Sequence, residues 1–461
     1  MEYLSRRLLK EASEKTFKFH PMCKSLQLIS LCFADDLILF SKGTVLAAHH
    51  LKIALGCFSE TTGLFPNKDK SLVYFGGVSL LEKEMILDDL QFSEGSFPLK
   101  YLGVPLRPTK WRREDCDAII KKIKMRLVTW ATKHLSYAGR IQLIHSVLFG
   151  LRNYWMSIFI LPQSVIKEVE RLCRGFLWGV KGDRSKIHLA SWDKVCLPKS
   201  FGGLGFKNGA SWNRSILGKF VWAIMDKHDI LWVKWVNNIY LKGADFWDYE
   251  LRGDVSWYWR KLCHLRNHFS KPMVTAAVRK GKYVAARLYL GSITLNIDSF
   301  YNSIWCNFAL PKHRFILWQV VHGHLLTRDN FHKFHIDLVS TLCPVCGSEE
   351  ESHHHLFFSC CVSREVVRRI FDWCGIAAWS LDYNRWRCWI SNRISGVVNV
   401  LFAATVYLIW KNRNYCVHNS SCLTILKIVN EIKDLVKYRL YSLKNRKFFQ
   451  AEKGMFLRLM L

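Results

Sequence analysis

The sequence has little acidic charge. It contains 67 Lys and Arg against 37 Asp and Glu, which gives a formal net charge of +30 at pH 7. This surplus is too large for an enzyme that acts on neutral substrates, and it suits a polyanionic partner. We therefore expect nucleic acid as the partner, although an ordinary solvated basic surface would give the same balance.

Long apolar runs are also missing. The longest run near the C-terminus, residues 397–410, is interrupted by Asn399 and is shorter than the roughly 20 residues that a membrane span needs. We predict a buried helix there and no membrane partner. The N-terminus shows no signal-peptide pattern.

Proline is scarce, with 10 residues, while half of the 461 residues are hydrophobic. This composition argues against disorder, and the length favours roughly three domains. The 16 cysteines are scattered over a long chain, so we expect reduced thiols rather than a disulfide scaffold. Together these features predict an intracellular location, nuclear or cytoplasmic.

No aspartate precedes Asp35, which lies in the sequence Phe-Ala-Asp-Asp between two apolar runs. The pattern predicts two strands joined by a turn. A two-metal nucleotidyl-transfer site needs carboxylates from at least two pieces of backbone, and only three glutamates in a predicted helix come earlier. An Asp-Asp pair in such a place is often just a turn, so the pair alone does not establish catalysis.

A helix is predicted to follow this turn, from about Val45 to Phe58. Leu51, Leu55 and Phe58 give it an apolar stripe at helical spacing, and Thr44 is a suitable N-cap. Strands followed by helices predict an α+β fold for this part of the chain.

A strongly basic segment extends from Arg107 to Arg152, with eleven Lys and Arg against three Asp and Glu. Ile119 and Ile123 fall on one helical face with other apolar residues. The basic residues that project elsewhere are Lys121, Lys122, Lys124 and Arg126. They predict contacts with phosphates, although an ordinary amphipathic helix remains the alternative.

Cysteine and histidine cluster between residues 343 and 361. Cys343 and Cys346 have the spacing of a metal-binding knuckle, and a later His and Cys could complete a tetrahedral site that favours zinc. By spacing alone, His353, His354 and His355 compete, as do Cys360 and Cys361. Four protein ligands would leave no open position, so we expect structural zinc. Chance spacing in a cysteine-rich chain is the alternative.

Several motifs occur in the order and rough spacing of one known family. The chain resembles reverse transcriptases of plant LINE-type (non-LTR) retrotransposons. The motifs are MEYLSR at 1–6, FADD at 33–36, GLFPN at 63–67 with Lys70 and Ser71, YLGVPL at 101–106, LSYAGR at 135–140, LPK at 197–199 with GGLG at 202–205, and PKHRF at 311–315.

The resemblance implies a division of the chain into five segments. They are a truncated palm of antiparallel strands with helices (1–106), a helical thumb (107–205), a Trp-rich connector (206–300), a zinc-binding module (301–365) and a basic helical C-terminal region (366–461). In the family, fingers and the first half of the palm come before MEYLSR. The resemblance therefore implies that the first catalytic aspartate strand is absent from this chain.

The resemblance also implies roles for particular residues. Asp35 would bind Mg²⁺ with Asp36 as its partner. The implied nucleic-acid contacts are Lys70, Tyr101, Leu102, Gly103, Lys121, Lys122, Lys124, Arg126 and Arg140. In the zinc module the family pattern selects His355 and Cys360, which completes the set Cys343, Cys346, His355 and Cys360.

These inferences predict a truncated RNA-directed DNA polymerase that is inactive alone. It would hold structural zinc, would bind Mg²⁺ only if the polymerase site were completed, and would bind RNA, RNA·DNA hybrid or single-stranded DNA. One alternative is a nucleic-acid-binding module or a pseudogene product without a polymerase role. Another is an active enzyme, if upstream exons encode the missing part.

Overall fold

A computed structural model describes residues 2–131, 134–181, 184–185, 187–334, 336–375, 383, 385–386, 388, 396–419, 421–443, 454 and 459. It divides the chain into two compact units. Unit 1 comprises residues 1–118, 154–165 and 212–292, and unit 2 comprises residues 119–153, 166–211 and 293–461. Both are mainly helical with short strand pairs. The coarse expectation of a mixed fold rich in helix is confirmed.

The helices follow one another along the chain with short connections. Their bounds are α1 Glu2–Ala12, α2 Val45–Thr62, α3 Leu80–Leu90, α4 Asp117–Ala131, α5 Tyr137–Leu143, α6 Phe149–Met156, α7 Gln163–Trp178, α8 Trp192–Cys196, α9 Gly209–Met225, α10 Leu231–Val236, α11 Trp257–Cys263, α12 Lys271–Ala276, α13 Ala285–Gly291, α14 Tyr301–Ile304, α15 Pro311–Val321, α16 Arg328–Lys333, α17 Cys361–Cys374, α18 Gly396–Asn419 and α19 Ile425–Tyr441.

The strands of the described residues form five two-stranded pairs. Four are antiparallel and β3–β4 is parallel. The bounds are β1 Ser30–Phe33, β2 Asp36–Leu39, β3 Leu72–Val73, β4 Ser93–Glu94, β5 Leu99–Tyr101, β6 Val104–Leu106, β7 Val180–Lys181, β8 Arg184–Ser185, β9 Val278–Arg279 and β10 Lys282–Tyr283.

In unit 1, the predicted strand-turn-strand is present. Phe33 of β1 pairs with Asp36 of β2 across a two-residue turn, in which Ala34 has φ +53°. The following helix, α2, begins where the sequence predicts, because the Thr44 hydroxyl accepts a hydrogen bond from the Ala47 amide at 3.4 Å and caps the first turn. The helix ends four residues later than predicted, with Gly63 at φ +71° as its C-cap, a conformation that favours glycine.

A hydrophobic core of unit 1 forms around Trp259, which is 2% exposed. Its ring stacks on Tyr240 with centroids 4.9 Å apart and an interplanar angle of 4°. Buried residues from α9 to α13, such as Leu217 and Leu288, surround it. Trp259 is therefore a core residue of unit 1.

In unit 2, the glycine-rich stretch 202–205 is a tightly packed turn. Gly202 has φ +78° and its carbonyl accepts a hydrogen bond from Trp318 Nε1 at 2.9 Å. At Gly203, an added Cβ would lie 2.1 Å from the Leu197 carbonyl oxygen. Because backbone fills that space, a side chain cannot be accommodated by rotating a neighbour.

The predicted helix over residues 397–410 is confirmed as part of α18. Its apolar residues are buried on nearly all sides, and it packs against α15 and α19. Among the described residues, no helix is both long and apolar enough to cross a membrane.

One cysteine pair departs from the expectation of reduced thiols. A disulfide joins Cys416 at the end of α18 to Cys422, with a Cα–Cα distance of 4.8 Å, which suits a disulfide. The expectation is wrong for this pair because the connection between α18 and α19 folds back and brings the two residues together. The other cysteines that the structure describes form no disulfide.

We predict that Gly203→Ala destabilises the protein by about 2–3 kcal/mol, because the new Cβ would clash with backbone atoms. Urea unfolding followed by circular dichroism measures the effect. Gly150→Ala is the matched control, since nothing lies within 4 Å of its added Cβ, and its midpoint should stay the same or rise slightly. Equal midpoints for the two variants would contradict the prediction.

Candidate metal centre

The centre is built on a short hairpin in unit 2. Leu342 and Glu350 form an isolated antiparallel bridge, and the Cys343 amide donates to the Glu349 carbonyl at 2.6 Å. Between them the chain turns back at Gly347, whose amide donates to the Cys343 carbonyl at 2.8 Å and whose φ is +70°. This turn holds Cys343 and Cys346 close together.

The two remaining candidate ligands come from the next turn of chain. His355 begins a short π-helical turn, His355–Ser359, and its amide donates to Ser352 Oγ at 3.0 Å. Cys360 follows, with its amide bonded to the His355 carbonyl at 2.7 Å. Cys360 is also the N-cap of α17.

The four predicted ligands converge. The candidate ligand atoms of Cys343, Cys346, His355 and Cys360 all lie within 4.8 Å of one another. Ligands about 2.0–2.3 Å from a tetrahedral zinc ion would be roughly 3–4 Å apart, so this spread fits one ion. Among the described residues, no other set of three or more His, Cys, Asp or Glu side chains meets this criterion.

The histidine is oriented by a carboxylate. His355 Nδ1 lies 2.9 Å from Glu349 Oε2, and its Nε2 lies 3.2 Å from Cys346 Sγ. A carboxylate on one ring nitrogen fixes the tautomer and leaves the other nitrogen for a metal. The His355 pKa is raised: burial lowers it, but hydrogen bonds to Cys346 and Glu349 outweigh that effect.

The sulfur atoms of Cys343 and Cys360 lie close together, and their interaction changes the pKa of both thiols. The interaction with Cys343 is the main reason that the pKa of Cys360 falls to about 5, with further help from the Val362 and Ser363 amides. The same interaction and burial raise the pKa of Cys343. A thiolate at the start of α17 is thus available to a cation at neutral pH.

The competing residues His353, His354 and Cys361 have other surroundings. His353 Nε2 lies 3.2 Å from the Leu325 carbonyl, and His354 Nδ1 lies 3.3 Å from Ser359 Oγ. Cys361 is an exposed, free thiol. The geometry therefore separates His355 and Cys360 from residues that spacing alone leaves equivalent.

The hairpin is anchored by a buried ion pair that sequence reasoning missed. Glu351 is 1% exposed, and Arg413 of α18 donates to its two carboxylate oxygens from Nε at 2.5 Å and Nη2 at 2.6 Å. The Arg328 amide at the start of α16 donates to the same carboxylate at 2.8 Å. Glu349 to Glu351 are consecutive in the sequence and resemble a solvated acidic run, so nothing local marks Glu351 as buried.

The predicted polymerase residues lie in unit 1. Asp35 and Asp36 are exposed, and among the described residues neither belongs to a group of three or more potential metal ligands. Tyr101, in the β5–β6 hairpin, lies close enough to Asp36 for the negative charge to raise its pKa, after the larger effect of burial. The structure thus brings this hairpin near the aspartate turn.

The other predicted nucleic-acid contacts differ in their surroundings. Leu102 and Gly103, at the tip of the β5–β6 hairpin, and Lys70 are exposed. Arg140, in contrast, donates from Nη1 to the Phe176 and Leu177 carbonyls at the end of α7, both at 3.3 Å. In α4, Lys121, Lys122, Lys124 and Arg126 are exposed, as are the apolar residues Met125 and Val128.

Comparison with known proteins agrees with this centre. Residues 287–366, which include all four candidate ligands, match the family described as zinc-binding in reverse transcriptase. A stretch of 129 residues is 35% identical to a putative ribonuclease H protein of Arabidopsis thaliana. That match covers 28% of this chain and 21% of the relative. The chain thus contains a segment related to reverse transcriptases.

We predict one zinc ion per chain, which metal analysis of the purified protein measures. Cys346→Ser and His355→Ala should each lose most of the zinc, because a three-ligand site binds it far more weakly. His354→Ala and Cys361→Ser are matched controls and should keep it. Full zinc content in both ligand variants would show that other residues bind the metal.

Glu351→Gln should destabilise unit 2 by about 3–5 kcal/mol, since it leaves the Arg413 charge buried without its partner. The neighbouring variant Glu350→Gln should change stability by less than about 0.5 kcal/mol, because Glu350 is exposed. Thermal unfolding of the zinc-loaded proteins measures both. An equal effect of the two substitutions would argue against the ion pair as an anchor.

Proposed function

We propose that this chain is a reverse-transcriptase-related protein of the non-LTR retrotransposon type that binds single-stranded RNA or an RNA·DNA hybrid. The observation that carries the proposal is the convergence of Cys343, Cys346, His355 and Cys360 within a segment that matches a reverse-transcriptase zinc-binding family. Zinc would have a structural role, because four protein ligands leave no position for a substrate.

The charge distribution supports a polyanionic partner. The four basic residues of α4 are exposed, and among the described residues none forms an ion pair with a carboxylate. Its apolar residues Ile119 and Ile123 are buried, so the helix is held in place while its cations face solvent. Nucleic acid binds such surfaces mainly through its phosphates. In this proposal, residues 107–205 retain the role of a helical thumb.

Polymerase chemistry is a separate question. In the proposal, Asp35 and Asp36 correspond to a catalytic pair, and among the described residues no third potential ligand joins them. A two-metal mechanism needs enough negative charge to hold both ions about 4 Å apart, and one exposed turn does not provide it. The chain alone would then bind nucleic acid without extending a primer.

A second candidate function is RNA-directed DNA synthesis, with further catalytic carboxylates supplied by another part of the protein or by another chain. One observation favours it: Tyr101 of the β5–β6 hairpin lies near Asp36, as a primer-positioning hairpin would lie near a catalytic turn. Mg²⁺ would then be required, with Asp35 as a direct ligand.

We predict salt-sensitive binding with weak sequence preference. If about five phosphates are contacted, the log-log slope of affinity against salt should be near −3.5 for single strands, at roughly −0.7 per contact. Replacing the four basic residues of α4 by alanine should make this slope shallower and weaken all sequences equally. Fluorescence anisotropy at several salt concentrations measures the slope, and an unchanged value would remove α4 from the binding surface.

We also predict no incorporation of nucleotides by the 461-residue chain in a Mg²⁺-dependent primer-extension assay on an RNA template. Asp35→Ala is the control for any activity that is observed. Incorporation that disappears in this variant would show that a third carboxylate is present, and it would favour the second candidate function.

A further inference from the structure

In unit 2, Lys199 and Arg314 bring positive charge close to the loop that carries Trp305. Lys199 Nζ lies 4.5 Å from the centroid of the Trp305 ring. Arg314, in the first turns of α15, donates from Nη1 to Asn307 Oδ1 at 3.3 Å. Burial lowers the pKa of Lys199 and the charge of Arg314 lowers it further, so the two cations are near one another. We call Lys199, Trp305 and Arg314 the Trp305 cluster.

Arg439 of α19 extends this positive surface. Its Nε donates to the Phe308 carbonyl at 2.6 Å, and its Nη2 donates to the Asn307 carbonyl at 3.3 Å. These bonds hold the guanidinium beside the loop that carries Trp305. Burial lowers the pKa of Arg314, the nearby Cys306 thiol opposes this effect, and the charge of Arg439 lowers the pKa further. The cations are therefore close enough to repel one another.

No acidic residue in the surrounding sequence offsets this repulsion. Residues 299–328 contain no Asp or Glu, and among the described residues neither Lys199 nor Arg314 forms an ion pair with a carboxylate. Elsewhere in unit 2 the pattern is different, since Arg368 and Arg369 both pair with Glu365. Like charges held together without a counter-charge are stabilised when an anion binds.

The start of α15 favours an anion for an independent reason. The helix begins at Pro311 with no side-chain cap and no acidic residue in its first turn. Lys312 in that turn is exposed. A helix N-terminus has a partial positive charge and normally attracts acidic groups, so basic residues there are unfavourable until an anion is present.

We propose that the Trp305 cluster binds the backbone phosphate of single-stranded nucleic acid. Lys199 and Arg314 would donate to phosphate oxygens, and the half-buried indole of Trp305 would present an aromatic surface to the adjacent base. Basic residues interleaved with an aromatic ring are typical of single-strand binding, whereas an acidic peptide would contact only the cations. This inference rests on the proposed function and adds a second contact surface to that of α4.

The test uses the full chain with zinc and a fluorescent 20-nucleotide oligouridylate. The double variant Lys199→Ala/Arg314→Ala should make the log-log salt slope shallower by about 1.4, because two phosphate contacts are lost at roughly 0.7 each. Lys199→Arg keeps the charge and should keep the slope. Lys167→Ala/Arg364→Ala is the matched control, since it removes one exposed Lys and one exposed Arg of unit 2 outside the cluster.

The outcomes separate this site from the proposed function. If the wild-type chain does not bind the oligonucleotide at low salt, both fail. If it binds and the double variant has the same slope as the control variant, the function stands and the site is wrong. Polyglutamate is the competitor that tests for a protein partner. If it displaces the labelled oligonucleotide at the same charge concentration as unlabelled oligouridylate does, the partner is an acidic protein instead. If the double variant loses its zinc or its cooperative melting, the single variant Lys199→Gln tests the site in its place. Its salt slope should be shallower by about 0.7.

Discussion

The buried ion pair between Glu351 and Arg413 is the constraint on which the metal centre depends. One carboxylate accepts hydrogen bonds from the Arg413 side chain and the Arg328 amide, while the Glu351 amide donates to the Thr341 carbonyl at 2.9 Å. The hairpin, the start of α16 and the middle of α18 therefore meet at a single residue. A buried charge pair adds little net stability, but it is costly to break, so it defines where the hairpin must lie.

Zinc and this ion pair order the same segment from two sides. The ion pair fixes one end of the hairpin against α18, and the four ligands would close the other end around an ion. Cys422, which follows α18, also contacts the knuckle, with its sulfur 3.4 Å from the Pro344 carbonyl. In small loop-rich segments of this kind, metal binding contributes directly to folding.

Among the described residues, the few acidic residues that are buried serve the fold. Glu11 is 8% exposed and bonds to Arg7 and His50 in unit 1. In unit 2, Asp298 pairs with His322 at 3.0 Å, and Glu351 pairs with Arg413. The net charge of +30 follows from 67 Lys and Arg against 37 Asp and Glu, and the proposed polyanionic partner would offset it.

The sequence by itself determined the features that depend on local pattern. Thr44 predicted the start of α2, the Asp35 turn predicted the β1–β2 hairpin, and the cysteine spacing together with a family resemblance predicted the four metal ligands. These were accessible because helix caps, hairpins and metal knuckles involve residues close together in the chain. Only the tertiary structure decided which acid anchors the hairpin, that Cys416 and Cys422 form a disulfide, and that Lys199 and Arg314 lie near one another. Such contacts join residues far apart in sequence, or depend on how helices pack, and no local pattern specifies that packing.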